Sequence, residues 1–90
     1  MPYISRPRRE AFAELLAKIK ETRIDSAGEL NYIVTKLMLE YLKQHGEQYR
    51  MQNEVIGAIE CAKMEFIRRK LVPLEQDKQA ENGDVFGEGE

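Results

Sequence analysis

The segment Ser26-Ala27-Gly28-Glu29 constrains this chain most, because it reads as the start of a helix whose far end is also marked. A serine followed three residues later by a glutamate is a capping box: the hydroxyl accepts from the Glu29 N–H, and the carboxylate reaches back to the Ser26 N–H. Beyond it Leu30, Ile33, Val34, Leu37, Met38, Tyr41 and Leu42 recur at helical spacing. The run closes on His45-Gly46, with glycine in the usual position after a helix. One long amphipathic helix over 26–45 follows, and the rest of the chain has to cover its apolar face.

Two further periodic segments answer that need. Phe12, Leu15, Leu16 and Ile19 define a first helix over about 7–22, with Pro7 in its first turn and Ser5 or Arg6 as cap. Val55, Ile56, Ile59, Ala62, Phe66 and Ile67 define a third over about 52–72, which has to break or kink near Val72-Pro73. Pro73 opens a short further helix, Asn82-Gly83 marks a turn, and the closing Gly-Glu-Gly-Glu has nothing to pack against. The expected fold class is all-α: a three-helix bundle or helical hairpin in one domain over 1–74, with a short helix or turn and a flexible, partly disordered acidic tail over 75–90.

The third helix is apolar on more than one side. At about 100° per residue, Asn53, Gly57, Cys61, Met64 and Arg68 form a second line opposite the main arc. Gly57 inside a helix costs about 1 kcal/mol against alanine, which points to close approach of another backbone. The second helix likewise carries Tyr32 and Leu39 on its polar side. Ninety residues make one small domain with little use for such extra surfaces. A homo-oligomer is therefore expected, with Asn53, Gly57, Cys61, Met64 and Leu39 at the interface. The competing arrangement has the chain's own tail covering one of those surfaces.

The net charge of −2 hides segregation. Residues 1–23 carry six basic and three acidic side chains, residues 24–70 are balanced, and residues 71–90 carry one basic and six acidic. Arg6, Arg8 and Arg9 crowd the first turn of a helix, where the macrodipole disfavours cations, so an anionic partner is expected for them. Arg68, Arg69 and Lys70 end the third helix, where cations suit the dipole. If assembly joins the clusters, with Tyr3 or Tyr32 stacking on a base, a pocket for a nucleotide-type anion forms between subunits. The acidic tail and a neighbouring subunit's carboxylates are the alternative anions.

Catalytic chemistry finds less in the chain. Cys61 has no histidine near it in sequence and reads as a packing residue, and His45 suits the end of its helix. No Cys/His cluster is present, so no metal or cofactor is expected. A carboxylate site would have to draw on Glu10, Glu14, Glu54, Glu60 and Glu65. All-α Mg²⁺-dependent nucleotide pyrophosphatases place such acids three apart on one face, whereas Glu10 and Glu14 are four apart and Glu60 and Glu65 five. An acidic chain without an evident recognition helix argues against nucleic acid. No apolar run reaches membrane length and no export core opens the chain, and a lone cysteine fits a reducing compartment, so a cytoplasmic protein is expected.

Two resemblances add to this reading. Gly28-Glu29-Leu30-Asn31-Tyr32, the run from Asn53 to Lys63 with Glu65-Phe66, then Arg68-Arg69, Pro73 and Glu81-Asn82-Gly83-Asp84-Val85 resemble a family of short, uncharacterised phage and prokaryotic proteins. Ile59-Glu60-Cys61-Ala62-Lys63-Met64 is similar to the second helix of phage anti-defence sponges, although Glu65 stands where a tryptophan commonly follows. Those sponges sequester cyclic nucleotide or cyclic ADP-ribose signals at subunit contacts. The resemblance thus implies a non-catalytic binding protein in which Arg6, Arg8, Arg9, Arg68, Arg69, Tyr3 and Tyr32 hold the ligand. The alternative is an interaction or inhibitory module docking a helix face on a protein partner, and third comes a Mg²⁺-dependent pyrophosphatase-like enzyme.

Overall fold

The computed structural model describes residues 2–87, and these are helical without a strand. In chain order the elements are α1 (Arg6–Glu10), α2 (Ala13–Glu21), α3 (Ala27–His45), α4 (Tyr49–Phe66), a π-helical segment (Ile67–Leu71) and α5 (Val72–Asn82).

The first expected helix is split in two. At Ala11 and Phe12 the amides turn to the carbonyls of Arg8 and Arg9, at 3.2 and 3.0 Å, so one turn tightens to i→i−3 bonding before α2 resumes. The bend brings Phe12 alongside the extended residues Pro2 to Ile4, with which it lines a common groove.

Helix α3 starts where the capping box places it. Ser26 Oγ accepts from the Glu29 N–H at 3.1 Å, but the Glu29 carboxylate passes the Ser26 amide and takes the N–H of Asp25 at 2.9 Å. The box is thus one residue wider than expected, closing a five-residue loop at the linker's end. At the other end Gly46, at φ 105°, donates its N–H to Leu42 O at 2.7 Å, a conformation that favours glycine.

Helix α4 opens at Tyr49, three residues before the expected start. The Gln48 cap position brings no side-chain cap bond, while Gln52 Nε2 donates to Glu47 O at 2.9 Å. Of the break or kink expected near Val72-Pro73, the break does not occur, and the chain passes through proline as an irregular helix. Proline lacks an N–H and its ring crowds the carbonyl four residues back, here that of Arg69. The π segment widens the ladder just before this point: the Val72 N–H bonds to Ile67 O, five residues back, and α5 begins with proline in its first turn. Residues 49–82 therefore form one rod of about 51 Å, which matches the longest dimension of the molecule, 53 Å.

Apart from the continuous run of α4, the π segment and α5, the main packing among the described residues is that of α3 on α4, a helical hairpin. The hairpin core is small. Met51 and Val55 are buried, at 8% and 7% exposure, against the half-buried Ile33, Val34, Met38 and Leu42 of α3. Tyr41 ties the helices from the side, donating its hydroxyl to Glu54 Oε2 at 2.8 Å, while its ring lies 4.4 Å from that of His45. Ile67 is half-buried as well, whereas the other apolar residues of the expected stripes, among them Leu30, Leu37, Ile56 and Phe66, remain exposed.

The radius of gyration of 17.8 Å exceeds the value of about 12 Å usual for this chain length. The accessible surface of 8399 Å² compares with about 5,400 Å² for a folded monomer of this mass. Some 3,000 Å² that an ordinary domain of this size would bury is open, as a direct result of α1, α2 and α5 standing off the hairpin.

Candidate functional site

The arginines of the first turn are not gathered toward an anion. Arg9 Nε donates to Ile4 O at 2.8 Å and so braces the N-terminal arm. Arg8 lies over the Phe12 ring, 5.1 Å from its centroid, a cation–π contact four residues along the helix. Arg6 makes no ion pair or side-chain hydrogen bond among the described residues. A carbonyl and an aromatic face thus take the places where sequence reasoning expected negative charge.

The second cluster is also divided. Arg68 turns to Glu65, with Nη2 and Oε1 2.7 Å apart on one face of the rod. Arg69 and Lys70 point elsewhere and line a groove of about 310 Å³ together with Pro2, Tyr3, Ala62, Glu65 and Phe66. Tyr3 also lines a neighbouring groove of about 450 Å³ with Arg9, Phe12, Leu15 and Leu16. The folded arm therefore places one tyrosine between two shallow grooves, one with Arg69 and Lys70 in its wall, the other with Arg9. This joins Tyr3, Arg9 and Arg69 of the expected ligand set within a single chain. It leaves Arg6, Arg8, Arg68 and Tyr32 outside, the last having Lys36 Nζ 5.7 Å from its ring centre.

Pro2 and Phe66 escaped the sequence reading of this site, which had Lys70 as part of the second basic cluster. Ala62, Phe66, Arg69 and Lys70 follow the four-, three- and one-residue steps of one helix face, so the pattern was visible. What placed Phe66 in the hairpin core instead was the assumption that every apolar residue of that arc meets α3.

The expected interface residues sit on open surface. Asn53, Gly57, Cys61 and Met64 of α4 and Leu39 of α3 are exposed. A Cβ at Gly57 would meet nothing within 4 Å, so the close backbone approach expected there does not come from this chain. Pro2 borders Cys61 and Met64 in a groove of about 300 Å³, so among the described residues the N-terminal arm reaches that line. Through Gly87 the tail follows α5 instead: Val85 and Phe86 line a groove of about 390 Å³ with Val72, Glu75 and Gln79. The last three tail positions, 88–90, lie outside the described residues.

Three of the five candidate carboxylates are committed locally. Glu54 holds Tyr41, Glu60 lies 3.6 Å from Lys63, and Glu65 holds Arg68. No three His, Cys, Asp or Glu side chains converge among the described residues. The hydrogen bond to Glu54, followed by slight desolvation and the nearby negative charge, raises Tyr41 above its ordinary value of 10.0. No helix of the described residues is long and apolar enough to cross a membrane.

The most extensive feature is apolar. Phe12, Leu15, Leu16 and Ile19 form a clean stripe on α1–α2, and their chain covers it only with the arm. Leu71, Val72 and Leu74 at the start of α5 are likewise exposed.

Over residues 1–85 the chain matches the family described as a domain of unknown function (DUF6899), and it belongs to that family. The match takes in the arm and α1–α2 as well as the Gly28–Val85 motifs from which a short protein family was expected. No curated protein and no solved structure matches the chain.

Proposed function

We propose that this family member is a helical interaction protein, which acts by docking apolar helix faces on another protein chain rather than by transforming a substrate. The observation that carries this reading is the stripe Phe12, Leu15, Leu16 and Ile19, which stays exposed beside the N-terminal arm. A nine-residue helix such as α2 is marginal in water unless tertiary packing supports it. Contiguous exposed apolar surface on a soluble chain marks an interaction site. In the phage or prokaryotic, cytoplasmic setting expected from the sequence, such a module would act by occupying or inhibiting its partner.

The decisive experiment compares the wild-type chain with the double variant Leu15→Asp, Leu16→Asp as bait. Recovery of one stoichiometric partner by the wild type alone is the expected result. Equal recovery by both chains would remove the stripe from the function.

A second reading rests on a separate observation, the meeting of Tyr3, Phe66, Arg69 and Lys70 in one groove. An aromatic pair beside two cations suits a nucleotide-type anion, the base on the ring and a phosphate on the Arg69 fork. Calorimetry with cyclic nucleotides and ADP-ribose derivatives, repeated on Arg69→Ala, tests it, and silent titrations with the wild type would eliminate it.

A further inference from the structure

Both ends of the chain present helices that lack a partner, and the two are complementary. The α1–α2 arm has its apolar stripe flanked by cations: Arg8 lies one turn before Phe12 and Lys20 one turn after Leu16. Helix α5 has Leu71 and Leu74 on one side, with Asp77 and Glu81 continuing that side at helical spacing. The tail lines its groove with Val72, Glu75, Gln76, Lys78 and Gln79, which leaves the Leu74–Asp77 side open. Lys78 is moreover paired with Glu81 at 3.5 Å, whereas Asp77 forms no ion pair among the described residues. Over the segments as a whole, residues 1–23 carry three net positive charges and residues 71–90 five net negative ones.

Within one chain the two surfaces do not meet. The N-terminal arm lies along Ala62–Lys70, and the main neighbour of α5 is the π segment. The lengths also agree, since α2 with nine residues spans about 14 Å and α5 with eleven about 17 Å. The excess accessible surface of about 3,000 Å² per chain is more than the roughly 800 Å² that each partner gives to a standard interface.

We infer that a second copy of this chain covers the arm, its α5 lying on the stripe of α1–α2 and the reverse contact forming by symmetry. In a two-fold dimer a residue of one copy that meets a residue of the other is repaid by the same contact reversed, so one complementary pair of surfaces closes the assembly. Leu71 and Leu74 then lie over Leu15, Leu16 and Ile19, and Asp77, one turn beyond Leu74, faces Lys20, one turn beyond Leu16. Each copy supplies the other with the helix that its own hairpin lacks. The inference rests on the docking role proposed above for the stripe and names its occupant.

Light scattering on the purified chain over a micromolar concentration range tests it. The expected mass is about 21 kDa, twice the 10.5 kDa of the chain. The variant Asp77→Lys should weaken association roughly tenfold or more through like charge at the contact, and adding Lys20→Glu should restore it. All these positions are exposed, so the variants keep their fold, which circular dichroism verifies. A wild-type mass of 10.5 kDa throughout, or a dimer indifferent to charge reversal, overturns the inference. A monomer that still recovers a protein through Leu15 and Leu16 overturns it while the docking role stands. A monomer whose recovered proteins do not depend on the stripe removes both.

Discussion

Truncating Val55 to alanine should destabilise the chain measurably, whereas the same change at its neighbour Ile56 should not. Val55 is 7% exposed and is one of the two buried residues of α4, while Ile56, one step around the helix, is 62% exposed. The valine change removes two methyl groups from the core, worth about 1.6 kcal/mol at roughly 0.8 kcal/mol each, and incomplete collapse of the site adds to this. With an unfolding entropy near 2.1 cal/mol/K per residue, 90 residues give about 190 cal/mol/K, so the midpoint should fall by roughly 8 °C. The isoleucine change removes more carbon but from a surface that water already reaches, and should stay within about 0.5 kcal/mol, or 3 °C. Thermal unfolding followed by circular dichroism at one protein concentration measures both. A loss at Ile56 equal to that at Val55, or a loss under about 2 °C at Val55, would refute the assignment of the core.

Three further perturbations probe the hairpin. Ser26→Ala removes the hydroxyl that accepts from the Glu29 N–H and should cost about 1 kcal/mol in a denaturant titration. Gly46→Ala forces a Cβ into a positive φ of 105° and against the Gln48 side chain; it should cost about 1 kcal/mol or more, with the loss confined to the turn between α3 and α4 by hydrogen exchange. Tyr41 carries a raised pKa in the folded chain, so its contribution to stability is complete below the unfolded value of 10.0 and is lost as the pH rises through the folded one. The midpoint should therefore fall faster between pH 9 and 11 for the wild type than for Tyr41→Phe, and identical slopes would show that the Tyr41–Glu54 bond is not held in solution.

How much of the fold was legible in the chain follows from the range of the forces involved. Ser26 and Glu29, Gly46, and the stripe from Leu30 to Leu42 act within a turn or two of helix, so α3 was readable almost to the residue. Pro73 shows the limit of such reasoning. Its missing N–H and crowded ring are local facts, but a helix has two responses, to break or to widen by one residue, and here the Val72 N–H takes the Ile67 carbonyl and the rod continues. The candidate groove was half legible: the cations and Tyr3 were identified, but their grouping depends on the arm folding back along Ala62–Arg69, a contact across some sixty residues.

The sequence by itself determined which segments are helical and which face of each is apolar, because both properties are written in neighbours three and four residues apart. Tertiary structure alone decided which faces meet. It put Met51 and Val55 against α3, left Leu15 and Leu16 open, and turned Arg9 onto a carbonyl. An apolar stripe carries no address: it lowers the free energy on any surface of matching shape, and only chain geometry determines whether that surface belongs to the same molecule.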